Sequence, residues 1–215
     1  MKLLAAVALV GTMAVAASAQ AAAEATAQAA ASEPSPVERI SATGYGYVIP
    51  DAPNYLMGIA SADLAWLHFE GRCNYEALRT GSAFGGVNIG WGRRLHLDLA
   101  PMVGGVFGRL DGIAPALRFT IAWWRVDLFS ESEVVIPLSS GSSAFYYNWS
   151  ELGFALPLGI RVGGAVQRNL VFQTSLELQR GLFAGMHLGP FNATFYEFNW
   201  GWTSPTFVFA LGLGV

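Results

Sequence analysis

Residues 205–215 close the chain with Pro-Thr-Phe-Val-Phe-Ala-Leu-Gly-Leu-Gly-Val, a stretch that alternates from end to end. Its large apolar residues fall on every second position, and they are Phe207, Phe209, Leu211, Leu213 and Val215. Because successive side chains of a strand point to opposite faces, these five share one face. The residues between them are mostly small. The pattern predicts a final β-strand with one broad apolar face, which is how outer-membrane β-barrels typically end.

The N-terminus has the pattern of an export signal. Lys2 precedes an apolar run over residues 3–17, and Ala17-Ser18-Ala19 or Ala19-Gln20-Ala21 offers a small-residue cleavage site. We therefore predict a cleaved secretory signal peptide over residues 1–21. Residues 22–53 are rich in Ala, Ser, Glu and Pro, and we interpret them as a flexible periplasmic leader. Residues 54–215 then form one domain.

The composition favours a membrane environment for that domain. Hydrophobic residues make up 53% of the chain and charged residues only 13%, whereas a soluble surface carries about 25–35% charged residues. No run of about 18 apolar residues follows the signal peptide, so no membrane helix is expected. A closed barrel is the other structure that satisfies backbone groups in lipid. The net charge of −3 gives no case for nucleic-acid binding.

Alternating segments separated by turn residues predict ten strands, with eight or twelve as alternatives. The ten segments are Asp63–Asn74, Thr80–Trp91, Arg94–Phe107, Ile113–Trp123, Arg125–Pro137, Ser143–Leu156, Gly159–Gln167, Thr174–Leu188, Phe191–Asn199 and Pro205–Val215. We therefore expect an all-β fold, an antiparallel up-and-down transmembrane β-barrel. Its last strand would pair with the first strand near Leu67. An even number of strands places both ends on the periplasmic side.

In each segment the odd-numbered and even-numbered positions point to opposite faces, of which one is apolar and the other carries charges. A soluble calycin-like ligand carrier would place the apolar face inside, and a membrane barrel would place it outside. The charges are too sparse for a soluble exterior, so we favour the membrane barrel and keep the periplasmic carrier as an alternative. The predicted lumen network is Glu70, Arg72, His96, Asp98, Arg118, Asp127, Glu131, Glu133, Glu151, Arg161, Glu177 and Glu197.

Aromatic residues lie near the predicted strand ends. Tyr146, Tyr147 and Trp149 lie near one end of a segment, and Trp123 and Trp124 lie at the opposite end of another. Amphipathic rings at strand ends are typical of the girdles at membrane interfaces. We therefore expect these rings to face the interface.

Three pairs of residues are candidate catalytic groups: His96 with Asp98, His68 with Glu70, and Ser150 with Glu151. A hydrolase needs a nucleophile or activated water, a base and an orienting acid within hydrogen-bond reach. Both His–acid pairs fall in mid-strand, and the predicted outer loops are short. A charged lumen network is the favoured interpretation. An outer-membrane hydrolase of lipid or peptide that uses His96 and Asp98 is kept as an alternative, and no cofactor or metal site is predicted.

Several short stretches resemble a family of small, uncharacterised Gram-negative outer-membrane β-barrel proteins. They are residues 74–76 with 80–82, 104–108 with 112–115, 147–152 and 179–181. The resemblance implies the location and the architecture but no activity. One departure is Val215, which stands where such barrels usually end in an aromatic residue. The expected partners are outer-membrane lipid, lipopolysaccharide and, through the last strand, the barrel-assembly machinery. The expected role is structural or the passage of small solutes.

Overall fold

The computed structural model describes residues 39–50, 52–139, 143–171, 177–201 and 205–215, without the side chains of residues 169–171 and 177. The predicted signal peptide and residues 22–38 of the predicted leader lie outside the described residues. The described chain is almost entirely β-strand.

Thirteen strand segments form one antiparallel sheet. They are β1 (Arg39–Val48), β2 (Tyr55–Leu64), β3 (Leu67–Cys73), β4 (Thr80–Val87), β5 (Ile89–Trp91), β6 (Leu95–Gly108), β7 (Gly112–Trp123), β8 (Val126–Pro137), β9 (Phe145–Ala155), β10 (Ile160–Val171), β11 (Glu177–Leu188), β12 (Phe191–Phe198) and β13 (Thr206–Gly214). A short 3-10 turn, Pro157–Gly159, connects β9 to β10.

The sheet closes on itself. β13 pairs with β1, and β4 pairs with β6. β4 and β5 are two parts of one strand, because Gly86 pairs with Met102 and Ile89 with Leu99 in a single unbroken register along β6. The closed barrel therefore has twelve strands. The prediction of ten strands is wrong, and the alternative of twelve is confirmed.

The difference in strand number arises before residue 67. β1 begins at Arg39, inside the region predicted to be a flexible leader. Its central outward residues are Ala42, Gly44 and Gly46, and large apolar residues face outward only at its two ends, Ile40 and Val48. The predicted segment Asp63–Asn74 also merges the end of β2, a tight turn and β3. The barrel boundary at residue 54 is therefore wrong, and the last strand pairs with β1 rather than near Leu67.

Connections of two kinds alternate around the barrel. Tight turns lie at the end of the barrel where β1 begins and β13 ends. At that end Ile40 N donates a hydrogen bond to Val215 O over 2.9 Å. One of them contains Gly92, whose φ of +95° and close approach to Leu95 O exclude a side chain. Most connections at the opposite end are longer. We call these two ends the turn end and the loop end.

The two faces of the wall differ as the alternation predicts. Large apolar side chains cover the outside, where Leu56, Trp91 and Trp124 are 73%, 75% and 76% exposed. Inside lie charged and aromatic side chains, of which His68 and Phe198 are fully buried. The apolar-out, polar-in arrangement is the one found in membrane barrels.

No helix among the described residues is long and apolar enough to cross a membrane.

Candidate functional site: the charged lumen

A cluster around Arg72 fills the lumen toward the loop end. Arg72 lies on β3, and its guanidinium reaches across the interior to β8, where Nη1 donates to Glu133 Oε2 at 2.8 Å and Nη2 lies 2.8 Å from Glu131 Oε1. Its Nε also donates to Glu70 on the same strand. Tyr75 OH donates to Glu131 Oε1 at 2.8 Å. Burial raises the pKa of Tyr75 well above its ordinary value, so the phenol stays a donor.

The same guanidinium is enclosed by two aromatic rings. The Arg72 Cζ atom lies 4.3 Å from the ring centroid of Tyr75 and 4.2 Å from that of Phe84. Both distances are well within the range of cation–π attraction. Arg72 therefore occupies a site that matches a guanidinium in charge, in hydrogen bonding and in shape.

A second group of charges continues from this cluster toward the turn end. Arg118 on β7 lies 3.3 Å from Glu70 Oε2, and His68 Nε2 lies 3.3 Å from the same oxygen. His68 Nδ1 in turn lies 2.6 Å from Asp63 Oδ1. Glu70 is thus shared by Arg72, Arg118 and His68, which links β2, β3 and β7 through side chains.

Arg161 forms a third group on the wall made by β8, β9 and β10. Its guanidinium binds Asp127 and Glu151. Gly153 makes room for it, because a Cβ at that position would lie 2.4 Å from Arg161 Nε. Trp149 Nε1 and Tyr196 OH complete the group by donating to Glu151 Oε1 at 2.9 and 2.8 Å.

Aromatic rings pack across the lumen between these groups. Tyr45 on β1 meets Trp149 on β9 edge to face, with centroids 6.5 Å apart. Trp149 also packs against Tyr196 and Phe198 of β12, with centroids 5.1 and 5.4 Å away. The expectation that Trp149 faces a membrane interface is wrong, because its parity on β9 points it inward. Tyr147 has the same parity and is likewise buried.

Exposure falls steeply from the turn end to the middle of the barrel. The side chains of His96 and Asp98, near the turn end, are 36% and 54% exposed. The side chains of Arg72 and Glu133 have no exposed surface. In the part of the chain that the structure describes, the lumen is a vestibule at the turn end and a filled core toward the loop end.

The predicted network is thus divided among several groups. Glu70, Arg72, Arg118, Glu131 and Glu133 are in one continuous network, and Asp127, Glu151 and Arg161 are in another. His96 Nε2 and Asp98 Oδ1 form a separate pair 3.0 Å apart. The side chain of Glu177 lies outside the described residues.

Glu197 is a correction to the predicted network. It shares the outward parity of Phe191 and Phe195, while its neighbours Tyr196 and Phe198 are the buried residues of β12. Glu197 therefore lies on the outer face. Its charge suggests an inward position, but the alternation of β12 places position 197 on the outer face.

Sequence reasoning did not assign Tyr45, Tyr75 or Phe84 to the interior network. The alternation of Tyr45 and Tyr47 with Gly44 and Gly46 was a usable signal for β1. Tyr75 gave no such signal, because it lies in the connection between β3 and β4, where no alternation applies. Its side chain folds back over the lumen to reach Glu131 and Arg72.

A polar group also lies on the outer face, where β8 and β9 pair. Asn148 Nδ2 is 3.0 Å from Ser130 Oγ, 2.9 Å from Ser132 Oγ and 3.0 Å from Glu131 O. Ser150 Oγ donates to Asn148 Oδ1 at 3.1 Å. These groups satisfy one another on a face that is otherwise apolar.

Among the described residues, no group of three or more His, Cys, Asp or Glu side chains is arranged to hold a metal ion. The acidic residues face arginine, histidine, tyrosine and tryptophan donors.

Comparison with solved structures places the fold. A structure described as "KdgM porin" matches with a TM-score of 0.56 and 9% sequence identity, over 81% of this chain and 97% of that one. The barrel is similar in fold to a porin. A second structure, "KdgM porin in complex with disordered oligogalacturonate", matches with the same TM-score, identity and coverage. Pseudomonas aeruginosa OpdQ matches with a TM-score of 0.42 and 10% identity, over 79% of this chain and 57% of that one.

The sequence itself matches no protein-family model and no curated protein. The similarity to the KdgM porin structures confirms the resemblance to outer-membrane β-barrels at the level of fold.

Proposed function

We propose that the protein is an integral outer-membrane β-barrel that passes small solutes through a lumen held shut by Arg72 in the described conformation. The observation that carries the proposal is the Arg72 cluster itself. It joins β3 to β8 across the interior through side chains alone. A lumen closed by side chains opens when those side chains change rotamer or partner, without any rearrangement of the wall.

The distribution of polarity supports the membrane location. Burying backbone groups in lipid requires a closed sheet, and among the described residues each of the twelve strands pairs with a neighbour on both sides. Its outside exposes large apolar side chains such as Leu211, which is 68% exposed, where a soluble carrier would present charges. The predicted signal peptide supports export. Outer-membrane lipid, lipopolysaccharide and the barrel-assembly machinery are the partners that this location supplies.

The size of the barrel supports a narrow path. About eight strands leave an interior that side chains fill, and about sixteen leave an aqueous channel. Twelve strands fall between these limits, so a few large side chains decide whether the lumen conducts. The oligogalacturonate in the matched structure belongs to that porin, and a shared fold at 9% identity carries no ligand to this chain.

Planar-bilayer recording on the refolded full-length protein tests the proposal. We expect the native protein to be silent or to open briefly, and Arg72→Ala to give stable conductance steps. Arg93→Ala, in an exposed turn, is the matched control and should behave as the native protein does. Folding is verified by heat-modifiable gel migration. Folded Arg72→Ala without conductance would overturn the passage of solutes.

A fractionation experiment tests the location separately. The native protein should stay with outer membranes after carbonate and salt washing and should be released by detergent. Release without detergent would exclude the membrane barrel and favour the soluble carrier.

A further inference from the structure

We propose that the place held by the Arg72 side chain is a binding site for small organic cations with a guanidinium or amino group, and that such cations are the solutes the lumen favours. The claim about which solutes pass through the lumen rests on the proposed function. The claim that organic cations bind at this place does not. Three properties of the interior support the inference.

The first property is the shape of the site. Glu131 and Glu133 lie 2.8 Å from the two terminal nitrogens of Arg72. The rings of Tyr75 and Phe84 lie against the same group at 4.3 and 4.2 Å. A free guanidinium ion has the same plane, charge and donors as the head of Arg72. It therefore finds the same carboxylates and rings once the tethered head is withdrawn.

The second property is a set of unpaired polar atoms around Arg72, whose own Nη2 forms an ion pair with Glu131 without hydrogen-bond geometry. Glu133 Oε1 is buried and has no hydrogen-bond partner, although Glu133 is one of the most deeply buried residues in the described structure. Glu76 Oε2, at the loop end above Ser82, is also buried without a hydrogen-bond partner. Buried carboxylate oxygens without donors are unfavourable. A solute that brings N–H donors and positive charge satisfies them.

The third property is the balance of charge. Glu70, Glu131 and Glu133 surround Arg72, and only Glu70 is shared with a further arginine, Arg118. An anion that entered this part of the lumen would face carboxylates at short range. A cation would be attracted, most strongly where water is excluded.

The donors arranged here suit an organic cation better than a chelated metal. Among the described residues no three acidic, histidine or cysteine side chains converge as metal ligands. The ring faces of Tyr75 and Phe84 lie where a hard metal ion would need oxygen ligands. The arrangement is that of a cage for a flat or rounded organic cation.

Arg72→Ala is the principal test, with millimolar guanidinium chloride and with urea as the matched neutral ligand of the same shape. Guanidinium should raise the thermal transition of the refolded variant and block its conductance, and urea should do neither. In the native protein the tethered Arg72 head competes for the same carboxylates, so the effects of guanidinium should be present but much weaker than in Arg72→Ala, and urea should have none. Equal effects of guanidinium and urea on Arg72→Ala would overturn the inference.

Arg72→Lys covers the case in which Arg72→Ala does not fold. It keeps a cation among the carboxylates but removes the planar fork, so guanidinium should still stabilise it more than urea does. Adding Glu133→Gln to either variant should weaken guanidinium binding about tenfold, equivalent to roughly 1.4 kcal/mol. Glu197→Gln removes the same charge from the outer face and should leave binding unchanged. Equal effects of the two Glu→Gln changes would contradict the inference.

The reversal potential of Arg72→Ala in a KCl gradient separates the two proposals. Preference for K⁺ over Cl⁻, reduced by Glu133→Gln, supports the cationic solute class. Conductance with a preference for Cl⁻ would overturn the solute class and leave the channel intact. Guanidinium binding without any conductance would leave the site intact, and would overturn both the passage of solutes and the solute class that rests on it.

Discussion

The rings of Tyr45 and Trp149 meet edge to face with centroids 6.5 Å apart, although their strands lie on opposite walls of the barrel. The two strands are separated by β10 to β13 on one side and by the rest of the barrel on the other. A single aromatic contact therefore reaches across the interior at this level, where larger barrels leave a wide channel.

Trp149→Ala should lower the free energy of unfolding by about 3–5 kcal/mol, since it leaves a cavity and removes a donor from Glu151. Trp91→Ala is the control, because that ring is 75% exposed on the outer face. Denaturant unfolding in lipid vesicles, followed by circular dichroism, measures both variants. Similar losses for the two variants would show that Trp149 does not pack the interior.

Arg72→Met should destabilise the barrel by about 3–5 kcal/mol, because it leaves buried carboxylates without a counter-charge. Combining it with Glu133→Gln should recover part of that loss, since one of the stranded charges is then removed. The same unfolding measurement on the two single variants and the double variant gives the coupling energy. Strict additivity would mean that the two side chains do not interact.

Gly163→Ala and Gly164→Ala form a matched pair on β10. A Cβ at Gly163 would lie 2.0 Å from Leu152 O and 2.8 Å from the Phe183 ring, whereas the nearest atom to one at Gly164 is Gly181 O at 3.8 Å. We expect Gly163→Ala to lose about 1–3 kcal/mol through overpacking. Gly164→Ala should be close to neutral, and a reversed order of the two would contradict the assignment of faces.

Asn148→Ala should cost about 0.5–1.5 kcal/mol, because Ser130 and Ser132 each lose one hydrogen bond on an apolar face. Ser130 keeps its contact with Ser150, and Ser132 keeps the hydrogen bond from Tyr146 OH. Replacing Asn148, Ser130, Ser132 and Ser150 together with alanine should recover much of that loss, since the side chains that bond to one another are then removed together. Unfolding in vesicles is again the measurement. If the free energy of unfolding instead falls further with each added alanine, the cluster stabilises the barrel beyond the pairing of its own polar groups.

Deletion of residues 22–53 should prevent formation of the heat-modifiable folded species, because it removes β1 and leaves β2 and β13 as open edges. Deletion of residues 22–33 stops short of Arg39 and should still fold. Gel migration with and without heating distinguishes the two. A folded barrel after the longer deletion would show that β1 is dispensable for closure.

The sequence alone determined the class of fold and the polarity of its wall. Period-two alternation needs only the identity of successive residues, so the final strand with Phe207, Phe209 and Leu211 facing outward follows from the chain itself. The same logic fixed the inward parity of Arg72 and Glu133. It does not mark β1, whose central outward residues Ala42, Gly44 and Gly46 give little contrast, and it places Glu197 outside although its charge suggests an inward position.

Only the tertiary structure decided the strand number, the partners inside the lumen and its closure. The pairing of β13 with β1 joins residues at opposite ends of the described chain. The contact of Arg72 with Glu133 joins residues 61 positions apart. Such contacts depend on the closure and stagger of the whole barrel, which no local pattern encodes. Alternation along the sequence predicts that a side chain points inward. The geometry of the closed barrel determines which other side chain it contacts in the lumen.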